Sequence, residues 1–332
     1  FTVSDDEGNQ VQSLAIDNVA VPPLVASVSE PLPTAGGNDI YDLVIRNDQL
    51  YLVQTWSNTL RIVDADTLEP AEADIALPSG ILTGFAVSPD GTKLVLTVRN
   101  YTNNGAYLFD LTAQTPTAQY IASGDPQWAE ISADGTRAYL SNLDSGFGDH
   151  QSGSISVLDI STSTPTRLFD IPTVGPEGMV LIGDKIYVTN IDLGAVSIYD
   201  AQTGAHLDTW NGVSGNLWDI DVLPDGQRVV VNGSGEVVFI DIATAATHRV
   251  PVTGGREAVA VSPDGSLAYT LQYDFSHPPN LIVIDTETYE VLGDPVPLPT
   301  GIWTVETSSD GSVFVPGYNS VSVVRFVAPT VI

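Results

Sequence analysis

The chain repeats one unit of about 45 residues roughly seven times between residues 40 and 326. Each unit begins with a small apolar strand, turns sharply, runs a second strand, loops, and runs a third strand that ends in Asp. A period of this size is typical of repeat arrays and propellers rather than of a two-layer domain. The repeat therefore constrains the fold more than any other feature of the sequence.

The most regular part of the unit is a turn between its first two strands. Asp-Gly between apolar runs predicts a tight hairpin, because Gly adopts a positive φ without steric cost. Asn47-Asp48 and Gly183-Asp184 stand at the two remaining turns. The Asp-Gly turns are Asp90-Gly91, Asp134-Gly135, Asp225-Gly226, Asp264-Gly265 and Asp310-Gly311.

Third strands end in an aspartate in every unit except the last, where Arg325 takes that position. Such an aspartate can accept hydrogen bonds from backbone N–H groups of the following turn. Both the turn aspartates and the strand-end aspartates are therefore predicted to be structural rather than catalytic. The strand-end residues are Asp64, Asp110, Asp159, Asp200, Asp241 and Asp285.

Composition and period together predict an all-β fold. Long amphipathic helical patterns are absent, and Val, Ile, Thr and Tyr dominate the periodic segments. The 332 residues accommodate seven small blades without a second globular domain. We therefore predict a seven-bladed β-propeller of four-stranded blades.

The last unit runs out of chain after its third strand, at residues 321–327. Its missing outer strand must come from the N-terminal side, and residues 24–29 fit best, because this pairing removes an exposed sheet edge. The prediction is a propeller over residues 24–332, preceded by a hairpin or linker at residues 1–23. That segment resembles the last hairpin of a cadherin- or immunoglobulin-like surface repeat. Since residue 1 is Phe, we expect a monomer or one module of a longer surface protein.

The charge excludes one class of partner. There are 41 acidic and 11 basic residues, for a net charge of −30. Such a surface repels nucleic acid and anionic lipid, whose binding requires Lys and Arg to neutralise phosphate. No apolar run is long enough to span a bilayer. The absence of cysteine excludes disulfides and thiolate sites, and the composition as a whole fits an extracellular, cell-surface or periplasmic setting.

The motif Tyr187-Val188-Thr189-Asn190, with the Ser-Pro-Asp-Gly turns and the Asp-x-x-Thr strand ends, resembles the YVTN family of β-propellers. Related propellers include 6-phosphogluconolactonase-like proteins, surface-layer proteins and the large subunits of quinone-dependent amine dehydrogenases. The resemblance covers residues 40–326, and only the fourth unit carries the literal motif. It implies the propeller fold but no particular activity, since the motif consists of turn and strand signals.

The mouth of the central channel is the predicted binding site. Counting seven residues back from each turn aspartate gives the start of every inner strand, which should form a ring around the mouth. Aromatic faces attract cations and carboxylates add Coulombic attraction, so this ring predicts a pocket for a cation or a sugar. The alternative is that the aromatic side chains merely plug the channel. The ring consists of Tyr41, Thr83, Gln127, Glu177, Trp218, Glu257 and Trp303.

An enzymatic alternative is a metal-assisted lactonase or lyase acting on a sugar-derived substrate, with Glu177, Glu257 and Asp219 as candidate catalytic acids. This set resembles the one used by lactonases on propeller folds, in which Glu, Asn and Asp surround a divalent metal that polarises the ester carbonyl. The chain does not reproduce that pattern residue by residue. Asp219 and Asp221 are further acids near the channel. The alternative to a catalytic role is structural, because a strand aspartate of a propeller often accepts hydrogen bonds from the backbone of the next blade. A scaffold subunit of an amine-oxidising complex is a third alternative, which requires a partner chain.

A divalent metal, calcium first, is the one cofactor that the sequence suggests. The longest loop offers Asp144, Asp149 and His150, and Asn190 lies at the same face. A solvated loop is the alternative interpretation. Signatures such as G-x-S-x-G, H-E-x-x-H and the P-loop are missing. We therefore predict a module that binds a small molecule, a glycan or a protein partner, with the enzyme as the alternative.

Overall fold

The computed structural model describes residues 25–29, 40–55, 57–71, 73–99, 104–113, 115–143, 152–252, 255–274, 277–298, 304–317 and 320–327. For residues 25–29, 41, 122, 255–257, 273–274, 277–278 and 327 the description covers the backbone alone. Residues 1–23, the predicted N-terminal hairpin or linker, lie outside the described part.

The described residues form 28 β-strands in seven antiparallel sheets of four strands each. The closing strand is β1 (Val25–Ser29). Blade one consists of β2 (Ile40–Arg46), β3 (Gln49–Gln54), β4 (Thr59–Asp64) and β5 (Ile75–Ala76). Blade two consists of β6 (Ile81–Val87), β7 (Lys93–Arg99), β8 (Gly105–Asp110) and β9 (Gln119–Ala122). Blade three consists of β10 (Pro126–Ile131), β11 (Arg137–Leu143), β12 (Gly153–Asp159) and β13 (Thr166–Thr173).

The remaining four blades follow the same order from the inner strand outwards. Blade four consists of β14 (Pro176–Ile182), β15 (Lys185–Asn190), β16 (Ala195–Asp200) and β17 (His206–Trp210). Blade five consists of β18 (Leu217–Val222), β19 (Arg228–Gly233), β20 (Glu236–Asp241) and β21 (Thr247–Pro251). Blade six consists of β22 (Gly255–Val261), β23 (Leu267–Asp274), β24 (His277–Asp285) and β25 (Val296–Pro297). Blade seven begins with β26 (Glu306–Thr307), β27 (Val313–Pro316) and β28 (Val321–Val327).

The N-terminal strand completes blade seven, as the strand count predicted. Strand β1 pairs antiparallel with β28, with Val25 opposite Val327 and Ser29 opposite Val323. The sheet order of this blade is therefore β26, β27, β28, β1. The seven-bladed, all-β architecture predicted from the repeat is confirmed, and the described residues contain no helix long and apolar enough to cross a membrane.

The hydrophobic core is divided among the junctions between blades. Seven apolar clusters occur in the described part of the chain, and each joins two neighbouring blades. The cluster between blades four and five, for example, contains Tyr187, Trp210 and Leu217. Because each blade packs on both faces, its middle strands are apolar almost throughout instead of alternating. Full burial of one such side chain contributes roughly 1.5–3 kcal/mol.

The turn aspartates are structural, as predicted. Asp90 accepts hydrogen bonds from Ser88 Oγ at 2.6 Å and from the backbone N–H of Thr92 at 3.0 Å. These bonds lower the pKa of Asp90 to about 2, and the same arrangement lowers the pKa of Asp134 to about 2. Gly91 adopts φ 73°, which is the left-handed conformation expected of an Asp-Gly turn.

The strand-end aspartates also cap their turns. Asp64 accepts hydrogen bonds from the backbone N–H of Thr67 at 2.8 Å and from its hydroxyl at 2.9 Å. Asp200 makes the corresponding bonds with Thr203 at 2.7 and 2.8 Å. The repeated acids thus supply part of the negative charge and have a structural role in their turns.

Candidate binding site in the central channel

The seven inner strands form a closed ring. Each of β2, β6, β10, β14, β18, β22 and β26 contacts the next, and β26 contacts β2. The edge of each inner strand that faces away from its own sheet is therefore directed towards a common axis. Side chains from blades that are not neighbours can meet only across this central channel.

Every inner strand whose start is described contains a β-bulge at the same place. The pairing skips from Ile40 to Asp42 in blade one and from Leu82 to Gly84 in blade two. Blades three to six show the same shift in register. The skipped positions include Tyr41, Thr83, Gln127, Glu177, Trp218 and Glu257, which are the predicted ring residues. A bulge leaves its extra residue unpaired and turns the strand locally.

The predicted ring residues differ in what they contact. Gln127 Nε2 donates to the carbonyl of Asp125 at 3.0 Å, and Thr83 Oγ1 donates to the carbonyl of Pro126 at 2.7 Å. Glu177 and Trp218 are half-buried. For Tyr41 and Glu257 only the backbone is described, and Trp303 lies outside the described residues. The aromatic part of the predicted ring therefore stays a prediction.

Thr189, the threonine of the Tyr-Val-Thr-Asn segment, hydrogen-bonds at the bulge of blade four. Thr189 Oγ1 lies 3.2 Å from the carbonyl of Gly178 in its own blade and 3.1 Å from the carbonyl of Trp218 in the next. Thr97 and Thr270 reach the corresponding carbonyls of Gly84 and Ala258, each at 2.8 Å. A buried carbonyl that the bulge removes from the ladder thus regains a partner. The motif threonine has a structural role in these blades.

Asn190, one of the four predicted metal ligands, uses its amide to connect β15 and β16 with the segment between β13 and β14. Its Nδ2 donates to the carbonyl of Val174 at 2.6 Å, and its Oδ1 accepts from Ser197 Oγ at 2.6 Å. The other predicted ligands, Asp144, Asp149 and His150, lie outside the described residues. Within the described ranges, no group of three or more His, Asp or Glu side chains is placed to hold a metal ion.

Five carboxyl groups instead occupy two layers, one at or next to the bulges and one nearer the turns. Asp42 and Asp219 stand six residues before their turn aspartates, and Glu130, Asp221 and Glu306 stand four residues before theirs. Residues two apart in a strand share a face and are separated by roughly 7 Å along the strand. The two layers therefore lie one above the other along the channel.

These carboxyls interact across the channel as well as within one blade, where Asp221 raises the pKa of Asp219. Asp221 of blade five raises the pKa of Glu130 of blade three, although burial is the main cause of that shift. The pKa of Glu306 of blade seven is likewise raised, after the effect of burial, by Asp221 of blade five, Asp42 of blade one and Asp219 of blade five. Blades one and five are not neighbours, and neither are blades three and five. The acids therefore converge on the axis.

Burial makes these acids weaker than ordinary carboxyls. It raises the pKa of Asp219 to about 8, against the opposing effect of two backbone N–H donors. It also raises the pKa values of Asp42 and Glu130 to about 7 and that of Asp221 to about 6. The pKa of Glu306 is raised well above its usual range by the same cause. At neutral pH the channel therefore contains carboxyls that are partly protonated and readily ionised by a positive neighbour.

Asp219 and Asp221 also link blade five to blade six. Asp219 Oδ2 accepts from the backbone N–H of Val259 at 2.9 Å, and Asp221 Oδ2 accepts from that of Val261 at 2.9 Å. These N–H groups lie on the free edge of β22, where no sheet partner is available. The arrangement is the backbone-bonding role described above as the structural alternative to catalysis for Asp219.

Arg46 is the positive group of the described channel that acts on these acids. Arg46 lies at the end of β2, nearer the turns than the acidic layers are. Its Nε donates weakly to the carbonyl of Val87 at 3.4 Å. Its charge lowers the pKa values of Glu130, Asp221 and Glu306, in each case against the larger effect of burial. One guanidinium thus favours the ionised form of three of the five carboxyls. Trp128 Nε1 lies 3.3 Å from Glu130 Oε1 and brings an aromatic ring to the same region.

The comparisons with known proteins bear on the fold alone. No protein-family model and no curated protein matches the chain. Among solved structures, hydrazine synthase of Kuenenia stuttgartiensis is similar with a TM-score of 0.71 and 20% identity, over 90% of this chain and 98% of that one. The β-propeller domain of Cps50 (Swd1) from Myceliophteria thermophila is similar with a TM-score of 0.71 and 14% identity, over 92% and 100% of the two chains. The shared feature is the propeller, and the relationship to the YVTN family stays a prediction.

Proposed function

We propose that the protein is a binding module that takes a cationic ligand into its central channel. The observation that carries the proposal is that five carboxyls stand on the inner strands of blades one, three, five and seven, which line one channel. Arg46 is the one cation that lowers their pKa values in the described part of the chain, and it acts on three of them. The fold supports this assignment as well, because propellers bind ligands at the channel.

The charge and burial of the channel carboxyls favour a cation as the ligand. Asp42 and Asp219 are buried and the other three acids are half-buried. Desolvation disfavours the ionised form of each, so a cation placed between them favours ionisation. Binding and proton release are then linked, and affinity increases with pH until the carboxyls are ionised in the free protein. An anionic ligand would face the opposite electrostatic effect.

The layers favour an extended cation over a compact one. Acids stand on two levels separated by about 7 Å along the inner strands, so a linear chain with amines at intervals can neutralise both. We therefore choose spermidine as the probe and maltose as the neutral comparison. Titration with maltose also tests whether the channel binds a sugar, which is the other ligand that the predicted aromatic ring allows.

Isothermal titration of the full chain with spermidine at pH 5, 6.5 and 8 tests the proposal. We expect affinity to increase at least tenfold from pH 5 to pH 8, with proton release measurable as a dependence on buffer ionisation enthalpy. The double variant Asp221→Asn and Glu306→Gln should weaken binding at least tenfold at pH 8. Replacing the exposed acids Glu290 and Asp294 by their amides is the matched control and should leave affinity unchanged.

Two results would overturn the assignment. One is spermidine binding that is equal in the channel variant and the surface control, since it would then reflect only the net charge. The other is binding of maltose without any binding of spermidine, because the ligand would then be neutral.

We place the module outside the cytoplasm, in a secreted or cell-surface protein. The absence of cysteine and the net charge of −30 support this setting. Antibody labelling of intact cells of the source organism, compared with permeabilised cells, checks it. Labelling that requires permeabilisation in every case would contradict an exposed surface location.

A further inference from the structure

A basic residue at the start of the second strand bridges neighbouring blades at three junctions. Lys93 Nζ of blade two donates to the carbonyls of Gly135 at 2.9 Å and Ile160 at 2.8 Å in blade three. Arg137 of blade three reaches the carbonyl of Ala201 at 3.2 Å in blade four, and Arg228 of blade five reaches that of Thr286 at 2.5 Å in blade six. Each acceptor other than Gly135 directly follows a strand-end aspartate of the next blade.

Blade six has no cation at this position. Lys93, Arg137 and Arg228 pair in register with the strand-end aspartates of their own blades, and in blade six the residue that pairs with Asp285 is Leu267. The junction between blades six and seven therefore lacks the positive group found at the three junctions above. At this junction Gly311 corresponds to Gly135, since each directly follows a turn aspartate, and Phe326 corresponds to Ile160, since each directly follows the strand-end position.

A pocket of about 270 Å³ lies at this junction. It is lined by Leu267 and Tyr269 of blade six and by Asp310, Gly311 and Phe326 of blade seven, among others. The pocket thus lies where the ammonium group and stem of a lysine are accommodated at the Lys93 junction. Its apolar wall is completed by stacking of Phe326 on Tyr269, with ring centroids 5.7 Å apart and planes at 13°.

The hydroxyl of Tyr269 is a polar group without a partner in this pocket. The side chain is 1% exposed, and its hydroxyl makes no hydrogen bond within the part of the chain that the structure describes. Tyr139, at the same register position in blade three, bonds the carbonyl of Ala201 at 3.1 Å. Burial and the charge of Asp264 raise the pKa of Tyr269, so the phenol is neutral and can accept a hydrogen bond.

Charge around the pocket favours a cation. Asp264 and Asp310 both line it and are exposed. Hydrogen bonds from the backbone of Ser266 and the hydroxyl of Ser262 lower the pKa of Asp264, which keeps this carboxylate ionised at neutral pH. Burial opposes the ionisation of Asp310, but hydrogen bonds from Ser308 and Ser312 lower its pKa, and the charge of Arg325 lowers it further and offsets part of the negative charge. Two carboxylates against one guanidinium leave the pocket acidic.

We propose that this pocket binds a lysine side chain of a partner polypeptide. The aliphatic stem packs between Leu267 and Phe326, and the ammonium group donates to the hydroxyl of Tyr269, to the Gly311 carbonyl and to the carboxylate of Asp310. The partner thereby supplies at this junction the cation that Lys93 supplies within the chain. The site is separate from the channel and does not depend on the function proposed for it.

Nuclear magnetic resonance titration of the full chain with a capped tripeptide, lysine between two glycines, tests this site. The comparison peptide carries norleucine, which keeps the stem and removes the charge. We expect shifts centred on Leu267, Tyr269 and Gly311, with affinity for the lysine peptide at least tenfold higher. Equal affinity for the two peptides would overturn the proposal.

Three variants locate the binding. Leu267→Lys provides the missing cation within the chain and should abolish binding, whereas Leu267→Met fills the same volume without charge and should retain it. Tyr269→Phe should weaken binding several-fold while melting as the wild type does, which distinguishes a lost ligand contact from a folding defect. The channel variant Asp221→Asn with Glu306→Gln should bind the tripeptide normally. Undiminished binding by both Leu267→Lys and Tyr269→Phe would contradict a lysine site at this junction.

Discussion

Asp42 of blade one and Asp219 of blade five lie on opposite sides of the channel, and the first raises the pKa of the second. Burial is the largest cause, and with the charges of Asp221 and Asp42 it brings the pKa of Asp219 to about 8, against two backbone N–H donors. Three further carboxyls, those of Glu130, Asp221 and Glu306, belong to the same group. The propeller therefore retains at its centre a set of acids that oppose their own ionisation, and this has measurable consequences for stability.

The first prediction is that the protein loses stability as pH rises from 5 to 8. The folded chain holds protons on Asp42, Glu130 and Asp219 up to pH values of about 7 to 8, whereas the unfolded chain releases them near pH 4. The folded state therefore binds more protons across this interval, and the free energy of unfolding decreases with pH. The slope approaches about 1.4 kcal/mol per pH unit for each such carboxyl.

Urea unfolding at constant ionic strength and several pH values measures this slope. Below about pH 4 the trend should reverse, because Asp90 and Asp134, with pKa values of about 2, then lose their charge only in the unfolded chain. Stability that is flat or increases between pH 5 and pH 8 would show that the channel acids are not buried as described.

The second prediction isolates Glu306. Glu306→Gln mimics the protonated side chain, so it should raise the midpoint of unfolding at pH 8 and change it little at pH 5. Glu290→Gln, on the surface, removes the same formal charge and should have a small effect at both values. If the change in the midpoint of unfolding between pH 5 and pH 8 were the same for Glu306→Gln and Glu290→Gln, the proposed burial of charge in the channel would be contradicted.

The third prediction concerns the motif threonine. Thr189→Val keeps the shape of the side chain but removes hydrogen bonds to the carbonyls of Gly178 and Trp218. Because at least one buried carbonyl then lacks a partner, we expect a loss of about 1–3 kcal/mol in the free energy of unfolding. Thr247→Val, at an exposed position of the outer strand β21, is the control and should change stability by less than about 0.5 kcal/mol.

The fourth prediction concerns closure of the ring. Deleting residues 1–32 removes β1, which leaves β28 as an unpaired edge, and cooperative unfolding should be lost. Deleting residues 1–23 retains the strand and should preserve a single sharp transition. Calorimetry of the two truncated proteins gives the answer. Identical melting of both would mean that β1 contributes nothing to closure.

The sequence contained most of the architecture because each repeat carries its own turn. Gly91 and its counterparts predicted the hairpins, and the count of three strands in the last unit predicted that the N-terminal strand must return to blade seven. Both features depend on local chemistry and on arithmetic. Neither requires knowledge of side-chain packing.

The site was less accessible to the same reasoning. Counting seven residues back from the turns gave positions such as Gln127 and Trp218, which occupy the bulges. A bulge changes the alternation of side chains, and no residue type in the strand signals it. Counting in steps of two from the turn, within the regular part of the strand, finds Glu130, Asp221 and Glu306 instead. Only their meeting across blades that are not neighbours required the structure.

The pairing of β1 with β28 also determines how the module responds to tension. Val25, where the first described strand begins, lies opposite Val327, where the last one ends. A force applied to the two ends of the propeller therefore acts on the same end of this strand pair and separates its hydrogen bonds one after another, instead of shearing them all at once. The ring that closes through this pair is accordingly expected to open at its seam under a small load, while the six blades formed by continuous chain remain folded.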